Sequence, residues 1–316
     1  MASLSSEARS ILGKVISGQT LSGQTLSDQG LIFGQNGQLA RAIIHTFESH
    51  DYPVTAIGSA QCDLVKVPHI ATELITHLKP SYVINASAYT DVDEAEDPSH
   101  RQALEALNIH APLSMAKACA QLEIPFLHMS TDYVFNGRVK LPYAVDHPKD
   151  PINAYGRSKA DGEAAILSIG GFGAIIRTSW LYDGKGKNFL TTMLRLGAQK
   201  DRIHVVNDQI GRPTYAGHLA RACMNIVMSA PDEMKVYHVS DSGAPISWYD
   251  FAKAIFTAKQ ITCEVLPVTS VDYAAPALRP AYSGLDLCAY EQDYNTSCPD
   301  WKTGLNAALA EWDARS

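Results

Sequence analysis

From residue 31 onward the chain alternates short apolar runs with longer amphipathic stretches, and that alternation narrows the possible folds more than any other feature. The runs Leu31-Ile32-Phe33, Val54-Thr55-Ala56-Ile57, Tyr82-Val83-Ile84, Phe126-Leu127-His128-Met129 and Ala174-Ile175-Ile176 read as buried strands. Helical periodicity covers 38–49, 70–78, 102–122 and 154–168, with Pro53, Pro80 and Pro125 placed just before strands. Repeated strand–helix–strand units need crossover connections and a parallel sheet, so the first half is expected to be doubly wound α/β. After Arg177 the regularity weakens. Helices are expected over 188–198, 215–228 and 248–258, the last starting near the capping candidate Ser247, with a short strand at Val205-Val206 and a loop over 274–280. Tyr237-His238-Val239 reads as a late strand of the main sheet.

The first apolar run leads into Gly34-Gln35-Asn36-Gly37-Gln38-Leu39-Ala40, a glycine-bearing turn that opens a helix. Glycines let a backbone approach a pyrophosphate, and a helix N-terminus offers free amides and positive potential. By itself such a turn is often mere punctuation. The small residues of Asn85-Ala86-Ser87-Ala88-Tyr89-Thr90, after the third run, add room for a flat cofactor at the switch point. The expected organisation is a flexible leader over 1–29, then a Rossmann-type dinucleotide-binding domain over 30–178 with a later strand near 235–240. A smaller, discontinuous substrate-binding lobe takes up most of 179–316. Near the end of the second strand Gly58-Ser59-Ala60 carry no carboxylate to repel a 2′-phosphate and no arginine to clamp one, which favours NADPH modestly and leaves NADH possible. Asp63 is placed to meet the adenine edge or to cap the next helix.

With 316 residues and 46% hydrophobic content the chain can bury a large core. Its six cysteines form no C-x-x-C pair, which argues against a zinc or redox motif and for reduced thiols in the cytoplasm. No His, Asp and Glu cluster has ligand spacing, so no metal-ligating residue is named and a metal requirement cannot be read. A formal charge of −7 offers no field for nucleic acid. No apolar run approaches the length of a membrane span. The leader carries a tandem pentapeptide, Ser17-Gly18-Gln19-Thr20-Leu21 followed by Ser22-Gly23-Gln24-Thr25-Leu26, with 7–16 able to form a turn or more of helix. Oligomeric state is open, a homodimer being possible.

Chemistry concentrates in Tyr155-Gly156-Arg157-Ser158-Lys159, downstream of Ser130-Thr131-Asp132-Tyr133-Val134-Phe135. On a helix Tyr155 and Lys159 share a face, so the ammonium is expected to lower the phenol's pKa. Taken singly, Thr131 is a β-former, Tyr155 a core aromatic and Lys159 a solvated helix residue. Together, behind a glycine-rich turn, they read as the apparatus of nicotinamide-dependent keto reduction. Tyr155 would protonate the alkoxide, Thr131 would bond the same oxygen and Lys159 would hold the ribose.

On these stretches, and on RTSWLY (177–182), NFLTTMLRL (188–196), NDQIGRPT (207–214), SWYDF (247–251) and RPAYS (279–283), the chain from 31 to about 312 resembles the extended short-chain dehydrogenase/reductases. Within them it is similar to the dTDP-4-dehydrorhamnose reductase family. The resemblance implies reduction of the 4-keto group of a dTDP-linked 6-deoxy-L-hexulose, with Tyr155 as proton donor and Lys159 and Thr131 as partners. It further implies that Gly34, Gly37, Gln38, Leu39, Asp63, Leu64, Ala88, Tyr89, Thr90 and Met129 line the cofactor. Asp132 and Trp180 would line the sugar, and Asn188 and Arg279 are looser candidates for phosphates or sugar hydroxyls. Related 4,6-dehydratases place a glutamate where Tyr133 stands, so dehydration is disfavoured. Three departures are the leader, Gly58-Ser59 in place of a polar pair, and Ala40 in place of a third glycine. Two other readings stay open: a reductase of a related dTDP-4-keto deoxysugar, and a non-catalytic nucleotide-binding regulatory subunit of the same fold.

Overall fold

The computed structural model describes residues 5–17 and 29–315. In chain order its first half runs α1 (Ser6–Ser17), β1 (Gly30–Phe33), α2 (Gln38–Glu48), β2 (Val54–Ile57), α3 (Ile70–Leu78), β3 (Tyr82–Asn85), α4 (Arg101–Glu105), α5 (Ala111–Leu122), β4 (Phe126–Thr131), α6 (Ala154–Leu167) and β5 (Gly173–Thr178). The second half continues with β6 (Leu181–Tyr182), α7 (Phe189–Gly197), β7 (Arg202–Val206), β8 (Ile210–Gly211), β9 (Thr214–Tyr215), α8 (Ala216–Met228) and β10 (Met234–His238). It ends with β11 (Ile246–Ser247), α9 (Trp248–Ala258), β12 (Glu264–Val268), α10 (Ser270–Tyr273), α11 (Cys288–Asp293) and α12 (Trp301–Asp313).

Six strands form one parallel sheet in the order β10-β5-β4-β3-β1-β2. β1, β3, β4 and β5 are buried along their whole length, as strands covered by helices on both faces must be. The strand order reverses between β1 and β3, so the loops leaving their carboxyl ends splay apart and open a crevice there. One apolar cluster, with Ile43, Phe47, Leu219 and Ile226, fills the α2/α8 side of the sheet. Another, with Leu74, Ile75, Met115 and Cys119, fills the α3/α5 side. A third gathers Tyr182, Leu190, Phe251, Phe256 and Trp301 around the two-stranded pairs β6/β9 and β7/β12.

The helix expected within 7–16 of the leader is α1, and it packs on α3: Ala8 and Ile11 are buried in the α3/α5 cluster, and the Ser5 amide donates to Glu73 Oε2 at 2.9 Å. Burying two apolar side chains on one helical face outweighs the polar composition around them. Beyond Ser17, which ends α1, the tandem pentapeptide lies outside the described residues. The expected helix over 102–122 is not uniform, because residues 106–110 form a π-helical turn between α4 and α5. Pro112 has no N–H to donate to the Asn108 carbonyl four residues back, and the ladder widens there.

Candidate active site

A cleft of 680 Å³ lies over the sheet reversal, bounded by the loops after β1, β2, β3 and β4 and by the start of α6. Gly34 turns the chain at φ +103°, and a Cβ there would meet the Ala86 backbone at 3.0 Å, so the turn can sit tight against β3 only with glycine. Gly37 caps α2 in extended backbone without a side-chain bond to the helix amides. A Cβ on Gly37 would find nothing within 4 Å. Free amides beside open space fit a pyrophosphate. Gln38 through its amide reaches the Leu181 carbonyl at 3.0 Å, joining this turn to the second half of the chain.

At the opposite wall, Asn153 caps α6 by accepting from the Gly156 amide at 2.7 Å, and its own amide holds the Leu278 carbonyl at 2.8 Å. This places Tyr155 in the first turn and Lys159 one turn deeper. Lys159 is 1% exposed, its ammonium donating to the Met129 carbonyl and lying 3.3 Å from His128 Nε2. Burial lowers Lys159 to about 8, with the Glu163 charge opposing. Tyr155 moves the other way from expectation: burial pushes its phenol up to about 12, with the nearby Thr131 hydroxyl opposing and the Asp132 charge adding to the rise. Desolvation of a phenolate outweighs an ammonium whose donors point to Met129 and His128.

Thr131 ends β4, and its hydroxyl donates to Asp132 Oδ1 at 2.9 Å. Burial raises the Asp132 carboxyl to about 7 against the Thr131 and Ser283 hydroxyls. Tyr133 stands edge-on to Tyr155 at 5.8 Å and puts no carboxylate beside it. Trp180, held at φ +47°, stacks on Trp248 with ring centroids 3.6 Å apart. A positive φ in so bulky a residue is strain that the surrounding packing sustains.

Gly34, Gly37, Gln38, Leu39, Asp63, Leu64, Ala88, Thr90 and Met129 therefore share one cleft with Thr131, Asp132, Tyr155, Lys159 and Trp180. Three expected residues lie apart from its walls. The Tyr89 hydroxyl turns to His100 Nδ1 and Glu94. Asn188 is spent capping α7 and bonding Asp183. Arg279 forks onto Asp93 at 2.7 and 3.0 Å, which holds the Asp93 carboxyl below its ordinary value.

Sequence reasoning missed four supports. Asn108, fully buried in the π turn, pins the Tyr89 backbone through both its N–H and C=O and donates to Ser158 Oγ. His128 and Asn85 back Lys159 from within the sheet. Trp248 lies against Trp180. Pro112, the Asn85–Thr90 stretch and the SWYDF segment carried what signal there was for these. Among the described residues no group of three or more His, Cys, Asp or Glu side chains is placed to hold a metal ion, and no helix is long and apolar enough to cross a membrane.

Residues 29–314 match the RmlD substrate binding domain family. The chain is 36% identical over 287 residues to dTDP-4-dehydrorhamnose reductase of Aggregatibacter actinomycetemcomitans, covering 87% of this chain and 96% of that one. It is 35% identical over 283 residues to the probable dTDP-4,6-dihydroxy-2-methyloxan-3-one 4-ketoreductase of Streptomyces antibioticus, covering 89% and 94%. Among solved structures it resembles dTDP-4-dehydrorhamnose reductase of Bacillus anthracis in complex with NADP, with a TM-score of 0.85 at 32% identity over 90% of this chain and 99% of that one. With a cleft of this geometry, and with a match that runs through every strand of the sheet, the chain belongs to the RmlD substrate binding domain family.

Proposed function

We propose that this protein is an NADPH-dependent ketoreductase that converts dTDP-4-dehydro-L-rhamnose to dTDP-L-rhamnose. The observation that carries the reading is the meeting of Thr131, Tyr155 and Lys159 in the same cleft as the uncapped N-terminus of α2, in a chain of this family. The Gly34–Leu39 turn, Asp63, Leu64, Ala88, Thr90 and Met129 would hold the dinucleotide, with the backbone of Tyr89 fixed behind them by Asn108. Bound there, the reduced nicotinamide supplies a hydride to the sugar C4.

Tyr155 gives its phenolic proton to the sugar O4. A phenol at about 12 is fully protonated at neutral pH, the state a general acid must start from. Thr131, whose hydroxyl donates to Asp132 Oδ1 in the ligand-free site, turns that one hydrogen to the same oxygen as charge gathers on it. Lys159, mostly cationic at neutral pH with a pKa of about 8, binds ribose and favours the phenolate that Tyr155 leaves behind. Asp132 and the paired indoles of Trp180 and Trp248 line the sugar. Tyr133 offers no second acid/base, so elimination of water has no group to run it. Six unpaired cysteines suit the cytoplasm, which is part of the proposal.

The test is incubation of purified protein with dTDP-4-keto sugars and each reduced nicotinamide, following absorbance loss and identifying the product. NADPH consumption with formation of dTDP-L-rhamnose is expected. Tyr155→Phe should lower kcat at least about 100-fold while binding NADPH as the parent does. Wild-type turnover in that variant removes Tyr155 from the mechanism. A second reading, reduction of a related dTDP-4-keto deoxysugar, is favoured by the likeness to the Streptomyces antibioticus protein, and product identity separates the two. Hydride transfer by the purified chain also rules out a purely regulatory subunit.

A further inference from the structure

Helix α1 stands outside the family match, which begins at residue 29, yet it packs behind one wall of the cleft. The chain between β2 and α3, residues 58–69, holds no strand or helix, and its Cys62, Asp63, Leu64 and Val65 line the cleft. Its hydrogen bonds run mostly within itself. The Gly58 amide donates to Gln61 Oε1 at 2.8 Å, the Cys62 amide to the Gly58 carbonyl at 2.9 Å and the Val65 amide to Asp63 Oδ1 at 3.1 Å. A tie to a distant element comes from Ser114 on α5, whose hydroxyl donates to the Pro68 carbonyl at 2.8 Å. The place of this wall therefore rests on the burial of Cys62 and Leu64, which share one apolar cluster with Ala8 and Ile11 of α1. Backbone without ladder bonds opens readily, so the cover over those two side chains decides how ordered the wall is before a ligand arrives.

α1 is itself fixed where the wall ends. The Ser5 amide donates to Glu73 Oε2 in the first turn of α3 at 2.9 Å, and Ser5 Oγ accepts from the Ala8 amide at 3.1 Å. Burial and, after it, the Glu7 charge push the Cys62 thiol up to about 12, so a side chain of α1 is felt at the cleft wall. In a doubly wound sheet the end of the second strand meets the adenosine ribose, which makes this wall the adenosine end of the cleft.

We infer that α1 is a positioning element for the cofactor: docked on α3, it holds the 58–65 wall in place and so raises affinity for the adenosine half of NADPH. The inference rests on the dinucleotide-binding part of the ketoreductase reading. A wall already in place loses less freedom when NADPH binds, and affinity rises by that difference. Ala8 and Ile11 act through Cys62 and Leu64 and are positioning residues, whereas the reacting groups sit on β4 and α6.

The test charges both buried positions of α1, Ala8→Asp with Ile11→Asp, in the full chain. Three ligands are titrated: NADPH, adenosine 2′,5′-bisphosphate and reduced nicotinamide mononucleotide. The first two should bind about ten-fold more weakly and the third as in the parent, while kcat at saturating NADPH stays within about two-fold. Amide exchange should quicken over α1 and 58–69 and stay unchanged over 153–159. Ile11→Val should keep the parent's affinity for NADPH. Glu73→Ala, which removes only the acceptor of the Ser5 amide, should weaken NADPH in the same direction and serves if the double variant fails to fold. The inference is overturned if α1 amides exchange freely while NADPH binds as before, or if NADPH and the mononucleotide weaken together, as general loss of structure would make them. Unchanged exchange over α1 overturns it too, because Ala8 and Ile11 then do not dock the helix. A parent protein that binds neither NADPH nor the bisphosphate overturns the dinucleotide reading itself. One that binds NADPH yet reduces no dTDP-4-keto sugar overturns the reduction alone, an outcome distinct from the others.

Discussion

Nε2 of His128 lies 3.3 Å from Nζ of Lys159, both side chains being buried between β4 and α6. Two cations cannot share that space. Burial, and after it the Lys159 charge, hold the imidazole well below its ordinary value, so the ring is neutral and Lys159 carries the charge. The other ring nitrogen meets the Asn85 amide at 3.1 Å. His128→Leu would leave that buried amide without its partner, and a loss of about 1–3 kcal/mol is expected, read by urea unfolding. An unchanged midpoint would show that the contact carries no stability.

Gly37 and Gly156 separate binding from folding. A Cβ on Gly37 enters open cleft at φ −66°, whereas one on Gly156 would meet the Tyr133 carbonyl oxygen at 2.2 Å. Gly37→Ala should keep its melting temperature and weaken NADPH at least about ten-fold, or about 1.4 kcal/mol. Gly156→Ala should lose stability first. Calorimetry on the unliganded variants, followed by a cofactor titration, checks both.

Glu163 continues the face of α6 that bears Tyr155 and Lys159. It is fully buried, with Arg177 bonded to both its oxygens at 2.9 and 2.8 Å and Ser130 and Lys149 completing the cluster. Glu163→Gln leaves the Arg177 charge uncompensated and should cost about 3–5 kcal/mol. Replacing both Glu163 and Arg177 by Met should cost less than the single change, because no charge is then stranded. A double variant worse than the single one would refute this account.

Asp132 makes a stability prediction that needs no substrate. Its folded pKa of about 7 stands above the ordinary 3.8, so the folded state binds an extra proton between those values. The contribution is fully present below pH 3.8 and is lost as pH rises through 7. Relative to Asp132→Asn, the wild type should therefore lose up to about 4 kcal/mol across that window, of which about 3 kcal/mol falls between pH 5 and 7, and nothing further above it. Denaturant unfolding of both proteins from pH 5 to 9 measures the difference. A constant gap would mean that the carboxyl ionises as in the unfolded chain.

The doubly wound sheet was legible in the sequence because apolar runs and helical periodicity are local properties that each segment carries. So was the pairing of Tyr155 with Lys159, which follows from helix geometry once residues 154–167 are helical. The RPAYS and NFLTTMLRL segments were legible as motifs too, but their roles were not. Asn188 reads the same whether it touches a phosphate or caps α7, and Arg279 the same whether it is free or forked onto Asp93.

Tertiary structure alone decided which polar groups lose water and what they meet when they do. Leader residues Ala8 and Ile11 become core because α3 offers an apolar face. Tyr155 rises and Lys159 falls because burial disfavours whichever form of each is charged. His128 and Asn108 gain their positions behind Lys159 and Tyr89 only when distant strands and helices close together. Periodicity along a chain records which side chains avoid water, whereas a pKa or a hydrogen-bond partner depends on residues brought close by folding, and no local pattern encodes that distance.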